Sequence, residues 1–169
     1  MMPGEREIVV QDQRVTYEGI FSLDELHKTI SDWCINKHYD RLDKLHTESV
    51  KPEGKFIDIE LQPDKNVDDY TNFMIRIRLF ASNIKDVTVE MDGRKKRLNQ
   101  GKVQIVLDAY IKTDYQGRME GKPIYMFLRT LYDKFIYKSE MARHEQMLKA
   151  DVAHLKETIY NYLNLFKTR

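Results

Sequence analysis

The side chains that come closest to a metal-binding pattern lie just after the first predicted helix. Four potential ligands occur there within nine residues: His38, Asp40, Asp43 and His46. The two histidines are eight positions apart, roughly two helical turns, so on a helix they could face the same way. No zinc-type ligand spacing accompanies them. We therefore interpret the segment as a solvated polar loop and predict neither a metal site nor a cofactor.

Cys34 is the single cysteine of the chain and its one candidate for a reactive thiol. A thiol reacts as the thiolate, which needs a neighbouring base or positive charge. Cys34 follows Trp33 on the apolar face of a predicted helix, so we interpret it as a small buried hydrophobic residue. The sequence also lacks the nucleophile-elbow, zinc-protease, P-loop and dinucleotide-binding motifs. It predicts no catalytic residue and favours a protein that is not an enzyme.

The densest basic run follows a predicted turn at Asp92-Gly93. It consists of Arg94, Lys95, Lys96 and Arg97. At a hairpin tip these side chains could contact nucleic-acid phosphates or anionic lipid heads. Alternation along a strand would split them between two faces, and basic residues also protect a sheet edge from unwanted pairing. We favour the protective role, because 28 basic residues balanced by 27 acidic ones are not typical of a dedicated nucleic-acid binder.

Tyrosines concentrate in the last third of the chain, where seven of the ten follow residue 109. A buried tyrosine needs a hydrogen-bond partner for its hydroxyl. A cluster between a sheet and a helix could therefore line an apolar pocket with a polar end. The residues predicted to line such a ligand pocket are Tyr110, Tyr125, Leu128 and Tyr132. Core packing with hydroxyls that reach the surface explains the same pattern and is the favoured alternative.

The composition is that of one folded domain. Apolar residues make up 41% and charged residues 33% of the 169 positions, which is too apolar for a disordered chain. A single cysteine excludes an internal disulfide and favours a reducing compartment. The first 14 residues are too polar for a signal peptide, and no apolar run approaches the ~20 residues of a membrane span. We predict one domain over 1–169, located in the cytoplasm, without a transmembrane segment.

The clearest local signal is a helix start at Ser22. Ser22 and Glu25 have the spacing of a capping box, in which each side chain bonds the other residue's backbone N–H. Phe21 and Leu26 occupy the hydrophobic-staple positions. Apolar residues on one face then predict a helix over 22–37, preceded by a strand within 7–20. The span 38–54 stays open between helix, strand and loop.

From Lys55 onward the apolar period changes to two. Apolar side chains alternate with polar ones between Ile57 and Ile111, which is typical of antiparallel strands with one buried face. Turns are predicted at Asp92-Gly93 and at Asn99-Gln100-Gly101. No helix separates these strands, so parallel winding is excluded. The predicted sheet has about five strands, drawn from 7–20 and 55–114.

Two C-terminal helices are predicted, over 122–138 and 140–167. The first is apolar around more than half its circumference, and we expect it to be buried against the sheet. The second has one apolar seam and would be roughly 42 Å long at a rise of ~1.5 Å per residue, more than a small domain can cover. A homodimer could bury the excess through Met141, Leu148, Leu155 and Tyr162. Packing of the seam on the chain's own sheet is the alternative.

The order of these elements resembles the helix-grip superfamily, which includes START-related lipid-transfer proteins and polyketide-cyclase-like proteins. The resemblance rests on VTYEGIF, SLDELHKTISDW, the strands from KFIDIEL to KVQIVLDAYIKTDY, and the helix PIYMFLRTLYDKFI. It covers most of the chain and implies a curved sheet around the last helix with an apolar ligand cavity. The predicted strands are fewer, and the C-terminal helix longer, than is typical of that superfamily. The segments DDYTNFMIRIRLF and LYDKFI also look like uncharacterised archaeal proteins.

These patterns predict an α+β fold in which an antiparallel sheet of about five strands packs on a long C-terminal helical segment. The favoured function is non-enzymatic binding of a small apolar molecule between the sheet and the C-terminal helix. Self-association through 140–167 is the alternative. Nucleic-acid contact through 94–97 ranks third.

Overall fold

A computed structural model of the chain describes residues 6–40, 43–113, 123–132, 134 and 138–167. The strands are β1 Arg6–Phe21, β2 Asp43–Lys51, β3 Gly54–Leu61, β4 Asp64–Asn66, β5 Thr71–Met91 and β6 Arg94–Thr113, and the helices are α1 Leu23–Asn36, α2 Pro123–Tyr132 and α3 Lys138–Asn164. All strands pair antiparallel in the order β1-β6-β5-β3-β2, and β4 pairs with the part of β5 that β3 leaves free. The predicted class, an antiparallel sheet under a long C-terminal helix, is confirmed.

The start of α1 follows the sequence signal with one change. The Ser22 hydroxyl accepts a bond from the Glu25 backbone N–H at 3.2 Å, and the staple residues Phe21 and Leu26 are fully buried. The reciprocal half of the capping box was wrong. The Ser22 N–H donates to the Tyr162 hydroxyl at 3.3 Å, while Glu25 pairs with Lys96 at 2.6 Å. A side chain of α3 thus supplies the cap that the sequence assigned to Glu25.

The two longest strands, β5 and β6, form one hairpin of 21 and 20 residues. It turns at Asp92-Gly93, where both φ angles are positive, 51° and 74°, as a two-residue type I′ turn requires. The second turn predicted, at Asn99-Gln100-Gly101, was wrong, because these residues lie inside β6 and pair with the end of β1. The hairpin bends instead at a register shift between Ser82 and Lys85 of β5.

Gly101 serves packing rather than turning. A Cβ atom at this position would lie 2.6 Å from Cδ1 of Ile84, and Ile84 is buried in the core. The same Cβ atom would also lie 2.9 Å from the backbone oxygen of Ser82, beside the bend where Asn83 has a positive φ of 55°. The glycine that looked like a turn signal is therefore explained by a close approach of two strands.

Within the described residues the sheet has six strands, where about five were predicted. The additional long strand, β2, occupies the span that the sequence left open and pairs with β3. It is an edge strand whose side chains from Leu45 to Val50 are exposed on both faces. Since neither face is buried, β2 has no apolar alternation by which the sequence could reveal it.

The core lies between one face of the sheet and the helices α1 and α3. The central strands contribute fully or almost fully buried side chains: Phe73, Ile75, Ile77, Leu79, Val103, Ile105, Leu107, Ala109 and Ile111. The seam of α3 packs on them. His144 lies between Met141 and Leu148 in this seam, with 6% of the residue exposed, and its ring is edge-on to that of Phe73 with 5.8 Å between the ring centroids.

The opposite face of the sheet is held by ion pairs. Asp108, whose side chain is 6% exposed, accepts a bond from Arg78 at 3.0 Å and another from the Asp12 backbone N–H at 2.8 Å. Arg76 forms two bonds of 3.0 Å with Glu60. Met74 and Val106 are buried on the same face, so it combines ion pairs with a few apolar side chains.

The expectation that the first C-terminal helix is buried against the sheet was wrong for the side chains that the structure describes. α2 spans Pro123–Tyr132, and most of the predicted continuation to 138 lies outside the described residues. Its large apolar residues are 41–66% exposed: Ile124, Met126, Phe127, Leu128 and Leu131. The physical reason is that α1 and α3 already cover the core face, and the opposite face is charged.

Candidate functional site

An open groove of about 540 Å³ lies between the edge strand β1 and the flank of α3. Its apolar lining comes from Val10 of β1 and from Val152, Ala153 and Tyr160 of α3, and its polar lining consists of Gln13, Lys149, Lys156 and Glu157. This volume falls in the range of small-molecule sites, which are mainly apolar with a few polar groups that fix orientation. The groove is thus the candidate functional site.

β1 is irregular where it borders the groove. Its register with β6 shifts twice between Ile8 and Gln13, and Asp12 has a positive φ of 55°. The bond from the Asp12 N–H to the buried carboxylate of Asp108 stabilises this conformation. Bulges of this kind redirect side chains. Here the Gln13 side-chain oxygen accepts a bond of 3.0 Å from Lys156 across the groove.

The two lysines of the groove differ in their partners. Lys149 Nζ lies 3.5 Å from a carboxylate oxygen of Glu145, one helical turn away. Among the described residues, Lys156 has no carboxylate partner and bonds only the neutral amide of Gln13. Burial, together with the nearby charge of Glu145, raises the pKa of Glu7, so the Glu145 end disfavours further negative charge. The uncompensated positive charge of the groove is therefore at Lys156.

The chemistry that this arrangement supports is binding. The described residues of the lining are apolar side chains, two lysines, a glutamate, a glutamine and a tyrosine, which suit contacts with an apolar and a charged group of a ligand. Among the described residues, no group of three or more His, Cys, Asp or Glu side chains is placed to hold a metal ion. An apolar surface next to the Lys156 ammonium group, which is bonded to a neutral amide, can accommodate an amphipathic molecule with an anionic end.

The ligand-pocket residues predicted from the sequence lie elsewhere. Tyr110 is half-buried on β6, opposite Ile8 and Met74, and Leu128 is exposed on α2. The side chains of Tyr125 and Tyr132 lie outside the described residues. A signal for the groove was present in the sequence as a second stripe on α3, next to the seam, formed by Lys149, Ala153, Lys156 and Tyr160. Its spacing of four, three and four residues places them on one flank.

The polar residues near position 40 are distributed over different elements. His38 lies just beyond α1, Asp40 pairs with Asp64 through backbone bonds of 2.7 and 3.0 Å, and His46 is exposed on β2. The side chain of Asp43 lies outside the described residues. Cys34 is buried in the core, in agreement with its interpretation as a small apolar residue.

The basic run 94–97 forms the first four residues of β6, next to the hairpin turn, and its side chains are exposed. Arg94 and Lys96 pair with Met91 and Val89, so they share one face, while the two residues between and beyond them face the other way. The Lys96–Glu25 pair also ties the hairpin to α1. The predicted split of the basic side chains between two faces agrees with this register.

The four residues named for a homodimer interface are engaged within the chain. Met141, Leu148 and Leu155 are buried in the core. Tyr162 is half-buried, and its hydroxyl donates to the Ser22 carbonyl at 2.9 Å. The seam therefore packs on the chain's own sheet, and a second copy would have to contact other residues.

Comparisons with known proteins give no relative to guide the assignment. The chain matches no protein-family model, and no significant similarity to a curated protein or to a solved structure was found. In the described part of the chain, no helix has the length and apolar character to span a membrane.

Proposed function

We propose that the protein is a non-enzymatic binding domain that holds a small amphipathic molecule with an anionic end in the groove between β1 and α3. The observation that supports this most directly is the apolar lining beside Lys156, whose partner is an uncharged amide. The apolar part of the ligand would cover Val10, Ala153 and Tyr160.

The charge of Lys156 is the reason that we expect a ligand with an anionic group at one end. A carboxylate or sulfonate that displaces the Gln13 amide would replace a hydrogen bond between an ammonium group and a neutral oxygen by an ion pair, which adds the attraction of opposite charges. Gln13 could then donate its amide N–H to the same anion. An uncharged ligand gains nothing from this exchange, so the groove should distinguish anionic from neutral amphipaths.

The open form of the groove limits its affinity. A ligand there stays partly in contact with water, and binding also costs several kcal/mol of lost translational and rotational freedom. We therefore expect dissociation constants on the order of 10 µM. The position between the sheet and the C-terminal helix is where the helix-grip resemblance implies a ligand. In this chain the centre of that interface is filled by side chains of the core, which leaves the edge for binding.

A matched pair of probes tests the proposal. 1-Anilinonaphthalene-8-sulfonate is an anionic amphipath, and N-phenyl-1-naphthylamine is its uncharged analogue. Lys156→Gln should weaken binding of the anionic probe by about fivefold to tenfold and leave the neutral probe almost unchanged. Lys28→Gln, at an exposed position of α1, is the control for a general loss of positive charge.

A blocking variant tests the location. Ala153 is exposed in the groove, so Ala153→Phe fills the apolar lining without disturbing the core. Ala150→Phe places the same ring on an exposed position of α3 outside the groove. We expect fluorescence titration to show lost binding of both probes to the first variant only. Equal binding to both variants, or no binding to the unaltered protein, would contradict the proposal.

A further inference from the structure

α2 presents an apolar stripe that the described part of the chain does not cover. Ile124, Phe127, Leu128 and Leu131 are separated by three, one and three residues, the spacing of one helical face, and each is at least 41% exposed. Met126, on the other side of the helix, is 66% exposed. Apolar side chains are thus exposed on two sides of α2. Packing against one neighbouring helix or strand would leave one of these sides in water.

The sequence around α2 is also locally basic. From 121 to 138 the chain has four basic residues, Lys122, Arg129, Lys134 and Lys138, and one acidic residue, Asp133. The local balance is thus three positive charges in a chain whose total is +1. The same 18 positions contain five of the chain's aromatic residues. Apolar and aromatic side chains with basic neighbours are the composition of helices that lie in the headgroup region of a bilayer.

We propose that α2 docks the protein on an anionic membrane surface, with the helix axis in the plane of the headgroups. α2 has ten residues, roughly 15 Å at 1.5 Å per residue, which suits an interfacial position and is too short to cross the ~30 Å hydrocarbon layer. The apolar stripe would enter the boundary of the acyl chains. The basic residues would attract phosphatidylserine or phosphatidylinositol headgroups.

A bilayer explains the exposure pattern better than a protein partner does. A helix that docks in a protein groove uses one stripe, commonly at the spacing seen here, and its other side stays polar. Met126 lies opposite the stripe, so immersion in a headgroup layer would cover both, whereas a groove would leave Met126 in water. Charge complementarity points to an anionic surface in particular.

Sedimentation of the full chain with lipid vesicles tests this. The vesicles are phosphatidylcholine alone, or phosphatidylcholine with roughly one quarter phosphatidylserine. The double variant Phe127→Ser with Leu128→Ser removes two large exposed side chains from α2. Ile35→Ser with Val50→Ser is the matched control, because these residues are 68% and 74% exposed outside α2. All four side chains are on the surface, so we expect both variants to keep the thermal midpoint of the unaltered protein.

The proposal predicts binding to the anionic vesicles that weakens as salt is added, is at least about tenfold weaker for the α2 variant, and is unchanged for the control. Ala153→Phe should bind the vesicles like the unaltered protein, which separates this inference from the groove. Equal binding of the α2 variant, or equal binding to uncharged vesicles, would overturn the proposal. An absence of vesicle binding would overturn it as well, and a dimer that the α2 variant dissociates, seen by light scattering, would then identify a second copy of the chain as the occupant of the stripe.

Discussion

The Tyr162 hydroxyl joins the end of α3 to the start of α1, and its removal should destabilise the fold by a definable amount. It accepts the Ser22 N–H at 3.3 Å and donates to the Ser22 carbonyl at 2.9 Å. Tyr162→Phe keeps the ring, including its edge-on contact with Phe166 at 5.5 Å, and removes both bonds together with a longer contact of 3.5 Å to a Glu25 carboxylate oxygen. Each bond contributes about 1 kcal/mol, and the freed N–H is an uncapped donor of the helix start.

We therefore expect Tyr162→Phe to lower the free energy of unfolding by about 1.5–2.5 kcal/mol. For a chain of this length that is a fall of roughly 4–8 °C in the thermal midpoint. Urea unfolding followed by the fluorescence of Trp33, the single tryptophan, measures it. The control is Tyr160→Phe, two residues away on α3, whose half-exposed ring contacts Lys167. Its hydroxyl has no bond in the described part of the chain, so stability should be unchanged.

The pH dependence gives a second test of the same contact. Burial raises the pKa of Tyr162 from 10.0 to about 12. Between these values the unfolded chain loses the phenol proton while the folded chain keeps it, so the contribution to stability is complete below pH 10 and is lost as the pH rises toward 12. Tyr162→Phe should reduce this alkaline loss. Equal unfolding midpoints for Tyr162→Phe and Tyr160→Phe at neutral pH would refute the proposed role of the hydroxyl.

Three further variants test the sheet. Asp108→Asn should lower the free energy of unfolding by about 2 kcal/mol, because it leaves Arg78, the positive partner of a largely buried pair, uncompensated. An unchanged urea midpoint would show that the pair contributes nothing. The bonds from Arg76 lower the pKa of Glu60 below 4.5, so the contribution of this pair to the free energy of unfolding is present above pH 4.5 and is lost on acidification. Glu60→Gln should therefore flatten the acid limb of a stability–pH curve, and an unaltered limb would contradict this. Gly101→Ala should cost about 1–3 kcal/mol, because its methyl group would meet Ile84 and two backbone oxygens within 3.0 Å; a thermal midpoint equal to that of the unaltered protein would disprove the close-packing explanation.

The parts of the fold that the sequence predicted are those where one face of an element is buried. Alternation from Ile57 to Ile111 identified the central strands, because every second side chain of these strands is buried in the core beneath the helices. The seam of α3 was also predicted, since its apolar residues recur at four- and three-residue spacing and pack along one continuous surface. The turn at Asp92-Gly93 followed from backbone chemistry alone, which needs no tertiary information.

The parts that the sequence did not predict depend on tertiary context. β2 is exposed on both faces and so has no periodic pattern. Gly101 packs closely against Ile84, a residue 17 positions earlier in the chain, whereas the local sequence pattern predicts a turn at Gly101. α2 has the composition of a buried helix, yet the core face that it would cover is occupied by α1 and α3. The groove was not predicted because it combines a bulge in β1 with the flank of a helix more than 130 residues later.

The site of a bound anionic amphipath can be located directly by intermolecular nuclear Overhauser effects between dodecanoate and the methyl groups of isotope-labelled protein. The account predicts contacts from the dodecanoate chain to the methyl groups of Ala153 and Val152, and none to that of Ile35 on α1. Contacts confined to Leu128 of α2, or saturable binding that produces no contact with α3, would contradict a ligand site between β1 and α3.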